Sequence, residues 1–311
     1  MSFSSTTKNE LSRIKSEGPC CQICELSALI RTSGSIRLKG LSKTDLNILT
    51  ENPAIARLIF TFFKKNFNIH TEVVVQKNKT LKKGNAYQIQ IEDASEILRA
   101  LGILVEVNGF YSINDQVPTF LMKDTCCRRA YIRGAFLGGG SVSDPEKGYH
   151  LEFITHSEEY GESLKDLINE FGLESKLIDR KANHIVYIKE GDQIVDLLNI
   201  IGAHKALLDF ENVRIVKQMR NDVNRLVNCE TANLNKTVNA AMRQVQDIEL
   251  IQSSVGLGAL PEGLIQLAEL RLEQPEASLK ELGELLDPPV GKSGVNHRFK
   301  KIHKFAESLV N

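Results

Sequence analysis

The sequence predicts an α+β protein in which one αββαββα unit occurs twice and is followed by an all-α domain. Two segments align without a gap, and the same order of helix and strand patterns follows each of them. The last part of the chain shows helical periodicity alone. We expect two repeats, residues 1–118 and 119–210, then a helical linker, residues 211–260, and a C-terminal domain, residues 261–311.

The aligned segments are residues 20–36 and 126–142, and each begins with two adjacent cysteines. Each also carries small residues four positions apart, which places them on one face of a helix. Small side chains there let two helices approach more closely than the usual ~8–10 Å between axes. We expect these helices to pack together and to end at Gly34 and Gly140; the alternative is two unrelated buried helices. The small residues are Ala28 and Thr32 in one copy and Gly134 and Gly138 in the other.

Residues 26–34 and 132–140 resemble the two copies of the LAGLIDADG motif of homing endonucleases. The resemblance implies that the motif helices form a domain interface and that the two sheets straddle a DNA duplex. In that family the acid just before each glycine holds the metal ions that cut DNA, but Ser33 and Gly139 stand at those positions here. Metal-assisted cleavage needs hard oxygen ligands, usually carboxylates. We therefore expect a retained scaffold with no catalytic residue.

The elements after each motif follow from local periodicity. Segments with apolar residues on one side are expected to be helices, and β-branched or alternating segments are expected to be strands. In the first repeat we expect strands at 35–39, 45–49, 71–76 and 86–91 and helices at 54–65 and 94–101. In the second we expect strands near 141 and at 150–154, 176–179 and 184–189 and helices at 157–171 and 194–201.

Composition limits the class of protein. The 311 residues have a formal net charge of +0, so any contact with nucleic acid must come from local separation of charges. No apolar run approaches the ~18 residues of a membrane span, and the N-terminus does not have the pattern of a signal peptide. We expect a cytoplasmic protein with no membrane contact.

The six cysteines invite two interpretations. Cys20, Cys21 and Cys24 form a Cys-Cys-x-x-Cys group that suggests zinc, but this is not the paired Cys-x-x-Cys of a zinc ribbon. Cys126 and Cys127 occupy positions equivalent to the first pair. Buried structural thiols in a reducing compartment are the favoured interpretation. We accordingly expect no metal and no cofactor.

A lysine cluster surrounds one hairpin of the first repeat. Such a cluster can contact DNA phosphates, but lysine also commonly protects an exposed strand edge. The sequence leaves both interpretations open. The residues are Lys77, Lys79, Lys82 and Lys83.

The linker contains many asparagines, which are poor helix formers. They belong either to a hydrogen-bonded junction, the favoured interpretation, or to a surface that touches nucleic acid. These are the asparagines at 221, 224, 228, 233, 235 and 239.

Residues 261–311 contain three helix patterns that fit a helix-turn-helix, with the motif running from Ser278 to Leu309. The second helix carries Glu281 and Glu284, whereas no acid occurs from residue 288 to residue 306. This separation favours binding of double-stranded DNA; the alternative is a protein-docking domain with one basic face. The expected DNA-binding residues are Lys292, Ser293, Asn296, His297, Arg298, Lys300, Lys301 and Lys304.

The combination of a degenerate double LAGLIDADG-like domain and a helix-turn-helix resembles the WhiA family of bacterial regulators. Residues 225–233, 279–286 and 293–298 carry the resemblance beside the repeats. It implies a non-enzymatic, sequence-specific DNA-binding protein of Gram-positive bacteria, linked to sporulation, cell division and chromosome segregation. The LAGLIDADG-like domain would add phosphate contacts or bind another regulatory protein.

Two functions from other classes compete with this interpretation. The first is an active LAGLIDADG-type endonuclease, for which Asp144 is the nearest acid beyond the second motif. The second is a scaffold whose helix-turn-helix docks a protein. Cleavage of DNA with magnesium would identify the first, and binding that does not weaken with rising salt would identify the second.

Overall fold

The computed structural model describes residues 2–16, 18–39, 43–77, 85–107 and 109–310. The chain divides into two compact units, Met1–Val216 and Lys217–Asn311. Among the described residues, no helix combines the length and apolar character needed to cross a bilayer.

The first half of unit 1 is an antiparallel sheet with helices on it. The strands lie in the order β1-β2-β4-β3, and the β2–β4 register pairs Ile48 with Ile89 in the core. A separate hairpin, β5–β6, follows the last helix. The elements are α1 (Phe3–Leu11), α2 (Pro19–Ser33), β1 (Gly34–Lys39), β2 (Lys43–Thr50), α3 (Pro53–Phe67), β3 (Glu72–Lys77), β4 (Asn85–Ile91), α4 (Ser95–Ala100), β5 (Leu104–Val107) and β6 (Phe110–Ile113).

The second half repeats this topology. Its strands lie in the order β7-β8-β10-β9, the same arrangement as in the first sheet. The α+β class and the duplication are thereby confirmed. After a 3-10 turn, Thr119–Leu121, the elements are α5 (Thr125–Gly139), β7 (Gly140–Val142), β8 (Leu151–Thr155), α6 (Glu158–Asn169), β9 (Lys176–Arg180), β10 (Asn183–Ile188) and α7 (Gly191–Ile201).

The two motif helices, α2 and α5, pack directly on each other at the centre of unit 1. A Cβ added to Gly134 would lie 2.1 Å from the Glu25 carbonyl oxygen, and one added to Gly138 would lie 2.0 Å from Thr32 Oγ1. The predicted close packing through small residues is therefore confirmed. Within this interface the buried carboxylate of Glu25 accepts a hydrogen bond from Arg133 at 2.9 Å.

The helices end as expected at Gly34 and Gly140, but not in a left-handed conformation. Both glycines are extended, with φ of −89° and −82°, and each begins a strand. Glycine is needed because the chain turns sharply: a Cβ on Gly34 would lie 2.6 Å from the Ile30 carbonyl oxygen, and one on Gly140 would lie 2.5 Å from Phe136.

Unit 2 is all-α and has a core of its own. The core combines Ile248 and Ile251 of the long helix with residues of the three following helices, including Leu267, Leu282 and Phe299. The end of the linker is thus part of the folded C-terminal unit. The helices are α8 (His204–Ser254), which runs through the boundary between the units, α9 (Glu262–Glu273), α10 (Leu279–Leu285) and α11 (Lys292–Val310); a 3-10 turn, Leu257–Ala259, precedes α9.

Candidate nucleic-acid interface

The start of α10 is fixed by a capping box. Ser278 Oγ accepts a hydrogen bond from the Glu281 backbone at 3.3 Å, and the Glu281 carboxylate accepts one from the Ser278 backbone at 2.7 Å. The Ser278 N–H also holds the pKa of Glu281 below its ordinary value. Two orphan donors of the helix end are satisfied in this way, so α10 begins at a defined residue.

The connection between α10 and α11 folds back onto α10. The backbone N–H of Val290 donates to the Gly283 carbonyl oxygen at 2.9 Å. A Cβ on Gly283 would lie 2.0 Å from the Val290 carbonyl oxygen, so only glycine permits this approach. Gly283 therefore helps to fix the path of the turn and so the position at which α11 begins.

Helix α11 is anchored by Val295, Phe299, Ile302 and Ala306, which are all buried. Three- and four-residue spacing puts these side chains on one face. The opposite face is consequently presented to solvent.

The expected end of the motif, Leu309, lies on the side of α11 that packs against unit 2. Leu309 is half-buried and packs against the core of unit 2. Helix α11 itself ends at Val310.

Arg271 of α9 packs against the same anchoring face. Its guanidinium group lies 5.3 Å from the centre of the Phe299 ring and donates to the Ala277 carbonyl oxygen at 2.7 Å. Burial lowers its pKa. Nothing in the sequence marks this residue, because an arginine in the last turn of a helix is ordinarily solvated.

Most of the predicted DNA-binding residues occupy the exposed side of α11. At 3.6 residues per turn, Ser293, His297, Lys300 and Lys304 face away from the buried stripe, whereas Arg298 lies on its flank and is half-buried. Among the described residues, none of the lysines or the arginine in this set forms an ion pair, so their charges are available to a partner. The exposed members are Lys292, Ser293, Asn296, His297, Lys300, Lys301 and Lys304.

His303, on the same helix, has a different role. Its Nδ1 lies 2.8 Å from the Asp247 carboxylate of α8, and its Nε2 lies 3.3 Å from Glu307. The imidazole therefore ties α11 to the end of α8 within unit 2.

The two positions equivalent to the metal-holding acids of a LAGLIDADG nuclease, Ser33 and Gly139, carry no carboxylate here. Ser33 Oγ donates to the Leu29 carbonyl oxygen at 2.7 Å. A Cβ on Gly139 would lie 2.7 Å from the Ile154 carbonyl oxygen, so the backbone excludes a side chain. Asp144 is exposed and accepts the backbone N–H of Glu146 at 3.0 Å in a local turn. A pair of hard carboxylate ligands is not assembled by these residues.

The lysine cluster of the first repeat cannot be assessed in the same way. Lys79, Lys82 and Lys83 lie outside the described residues, and Lys77 is described only as the last backbone position of β3. Phosphate contacts by this cluster stay a prediction.

The asparagines of α8 do not form the expected junction. Every residue from 218 to 240 is exposed. Asn221, Asn224, Asn228, Asn235 and Asn239 make no side-chain hydrogen bond with any described residue, and Asn233 contacts only Cys229, at 3.7 Å on its own helix. Among the described residues the junction is therefore not formed, and the periodic pattern could not reveal that this part of α8 is exposed.

Comparison with known proteins accounts for both units. The WhiA N-terminal LAGLIDADG-like domain matches residues 19–104, the WhiA LAGLIDADG-like domain matches residues 128–220, and the WhiA C-terminal HTH domain matches residues 223–306. The chain belongs to the WhiA family. The predicted pair of LAGLIDADG-like domains and the helix-turn-helix domain are thereby confirmed.

Relatives match over nearly the whole length of this WhiA-family chain. "Probable cell division protein WhiA" of Alkaliphilus metalliredigens is 56% identical over 310 residues, which are 99% of this chain and 98% of the relative. The protein of the same description in Alkaliphilus oremlandii is 58% identical over 313 residues, with the same coverage. The crystal structure of full-length DUF199/WhiA from Thermatoga maritima is 28% identical, has a TM-score of 0.61 and covers 99% of both chains.

Proposed function

We propose that this chain is a non-enzymatic, sequence-specific DNA-binding regulator that reads double-stranded DNA with α11. The observation that carries the proposal is the separation of charge in the helix-turn-helix. Helix α10 carries Glu281 and Glu284, whereas α11 and the turn before it have no acid from Pro288 up to Ala306. A cationic helix displayed beside an acidic one suits insertion into a phosphate-lined groove.

The positions along α11 suggest a division of roles. Ser293, Asn296 and His297 lie near the N-terminal end of the helix, the part of a recognition helix that reaches base edges. Lys300, Lys301 and Lys304 lie further along and are exposed, which suits contacts to phosphates. Arg298 lies at the flank, where its guanidinium group can reach a guanine at the edge of the site.

The biological role follows from the relatives. They are named as cell division proteins, and a DNA-binding member of the family would act by regulating transcription of genes for cell division, chromosome segregation or sporulation. Such a protein would work in the cytoplasm, associated with the nucleoid. The LAGLIDADG-like unit would contact flanking phosphates or another regulatory protein.

The proposal is tested by measuring affinity for a DNA site that the parent protein selects from a randomised pool. We expect Arg298→Ala to weaken binding to that site by about 1–3 kcal/mol, the value of a bidentate contact to guanine. Lys300→Ala with Lys301→Ala should weaken binding to selected and unrelated DNA alike and flatten the dependence on salt, because phosphate contacts release counterions.

Lys280→Ala is the matched control. It removes one positive charge, as Arg298→Ala does, but Lys280 is exposed on α10, where its Nζ lies 3.7 Å from the Glu284 carboxylate. An equal loss of affinity in this variant would indicate a general charge effect and remove the role of α11. Binding by the parent that does not weaken with rising salt would instead favour the protein-docking scaffold.

A further inference from the structure

The fold brings together two pairs of cysteines that are far apart in the sequence. Cys20 and Cys21 lie in the first turn of α2, and Cys126 and Cys127 lie in the first turn of α5. Because α2 and α5 pack on each other as equivalent elements of the duplicated fold, the two pairs meet at one end of the helix pair. No site described above uses these thiols.

The distances between the sulfur atoms suit a single small ion. The Sγ atoms of Cys20, Cys21 and Cys127 all lie within 4.8 Å of one another, and those of Cys126 and Cys127 lie within the same distance of each other and of an Asp124 carboxylate oxygen. The Cys126 thiol also hydrogen-bonds to Cys21. Zinc–sulfur bonds of ~2.3 Å place tetrahedral thiolates about 3.8 Å apart, so Cys126, which does not share the group of Cys20 and Cys21, must move toward them to complete a four-sulfur site.

Burial keeps the free thiols protonated, and a bound metal ion would displace their protons. Burial raises the pKa of Cys127 to about 12, and burial followed by the bond to Cys126 raises the pKa of Cys21. A thiol that coordinates zinc is deprotonated by the ion. The resulting negative charge would lie at the N-terminal ends of two helices, whose dipoles stabilise anions.

The neighbouring thiol of Cys24 contacts Cys127 but has a hydrogen-bond acceptor outside the cluster. Its Sγ donates to the Leu121 carbonyl oxygen at 3.2 Å, and it does not belong to either group of clustered ligand atoms among the described residues. Cys20 is exposed and Cys126 is half-buried, which leaves a path by which an ion enters from solvent. The donor set is therefore two cysteines from each half of the duplicated domain.

We propose that Cys20, Cys21, Cys126 and Cys127 bind a structural Zn²⁺ ion that joins the first turns of α2 and α5. All four ligands come from the protein, so the site is closed and serves stability rather than catalysis. The ion links the two repeats at the N-terminal ends of the helices, whereas the close contacts at Gly134 and Gly138 lie further along them. This site is unrelated to the positions at which LAGLIDADG nucleases hold metal.

The test measures metal bound to the full-length protein. Protein purified with a reductant is stripped by a chelator, titrated with zinc and analysed for bound metal by mass spectrometry. We expect an equimolar amount of zinc in the parent and a rise in the melting temperature of unit 1 on binding. With Co²⁺ in place of zinc, we expect the thiolate charge-transfer and intense visible bands of a tetrahedral sulfur site.

Two kinds of variant make the test specific. Cys126→Ser with Cys127→Ser should abolish equimolar binding and the cobalt spectrum, whereas Cys229→Ser, which removes an exposed cysteine on α8, should retain both. Circular dichroism establishes that the double variant is folded. The proposal is overturned if the reduced parent binds no zinc, if the folded double variant binds it as the parent does, or if the parent gives no thiolate spectrum with cobalt.

Discussion

Gly134 and Gly138 decide how the two repeats meet. At each of them a Cβ would lie closer than any real van der Waals contact to an atom of the opposite helix, Glu25 oxygen in one case and Thr32 oxygen in the other. In a typical helix, alanine is more favourable than glycine by roughly 1 kcal/mol. Close packing therefore explains the glycines at these positions, where helix propensity alone would favour alanine.

The substitution Gly134→Ala tests the packing role by adding one methyl group between the two helices. We expect a loss of about 1–3 kcal/mol in the free energy of unfolding of unit 1, because the helices must separate to admit the methyl group. Chemical denaturation followed by circular dichroism measures the loss. Gly148→Ala is the control, since a Cβ there has nothing within 4 Å; equal stability of the two variants would contradict the packing role.

At the scale of the element, α10 is short and depends on its ends. Its seven residues, Leu279–Leu285, are far fewer than an isolated helix needs for stability in water. The capping box at Ser278 and the contact of Gly283 with the turn supply part of the stability that so short a helix lacks. Both features also fix the turn that positions α11.

Ser278→Ala should lower the free energy of unfolding of unit 2 by about 1 kcal/mol, the usual cost of removing an N-cap. The stability of unit 2 should also depend on pH in the parent and in the variant, because the Ser278 N–H is a backbone group that alanine keeps. The folded-state pKa of Glu281 is depressed, chiefly by the Ser278 N–H, so its contribution is present above the ordinary glutamate pKa and is lost as pH falls through the folded value.

Thermal unfolding of parent and variant across this acidic range measures both effects. Ser254→Ala is the control, because Ser254 is exposed at the end of α8 and its hydroxyl makes no hydrogen bond with the described residues. A control variant as unstable as Ser278→Ala would show that the loss does not come from the cap.

At the scale of the whole molecule, a nuclease-like unit and a helix-turn-helix unit occur in one chain. The helix pair and both sheets of the LAGLIDADG-like fold are retained, while the acid positions hold Ser33 and Gly139. The contact between Gly139 and Ile154 means that an acid could not return there without movement of the backbone. Specific binding without cleavage is the expected behaviour of the full chain.

Incubation of supercoiled DNA that contains the selected site with Mg²⁺ or Mn²⁺ should therefore leave it uncut. The physical reason is that hydrolysis by these ions requires carboxylates that hold them at the scissile phosphate. Gel electrophoresis, with an active LAGLIDADG endonuclease on its own site as the positive control, makes the measurement. Site-specific linear product that disappears with a chelator would restore the endonuclease alternative.

Local periodicity was enough to predict most elements, because strands and helices repeat every two and about 3.6 residues. It missed α1 and the β5–β6 hairpin. Helix α1 is rich in serine and threonine, which have modest helix propensity, and it is held by burial of Thr7 and Leu11. The strands of the hairpin have four residues each, too few to establish an alternating pattern.

The sequence by itself determined the properties that depend on residue identity and spacing. These are the duplication, the absence of carboxylates at Ser33 and Gly139, and the basic run of α11. The tertiary structure decided which distant residues meet and which meet nothing. It brought Cys20 and Cys21 close to Cys127. It also left Arg298 half-buried and the asparagines of α8 exposed. Spacing encodes which face of a helix a residue occupies, but packing alone determines what lies against that face.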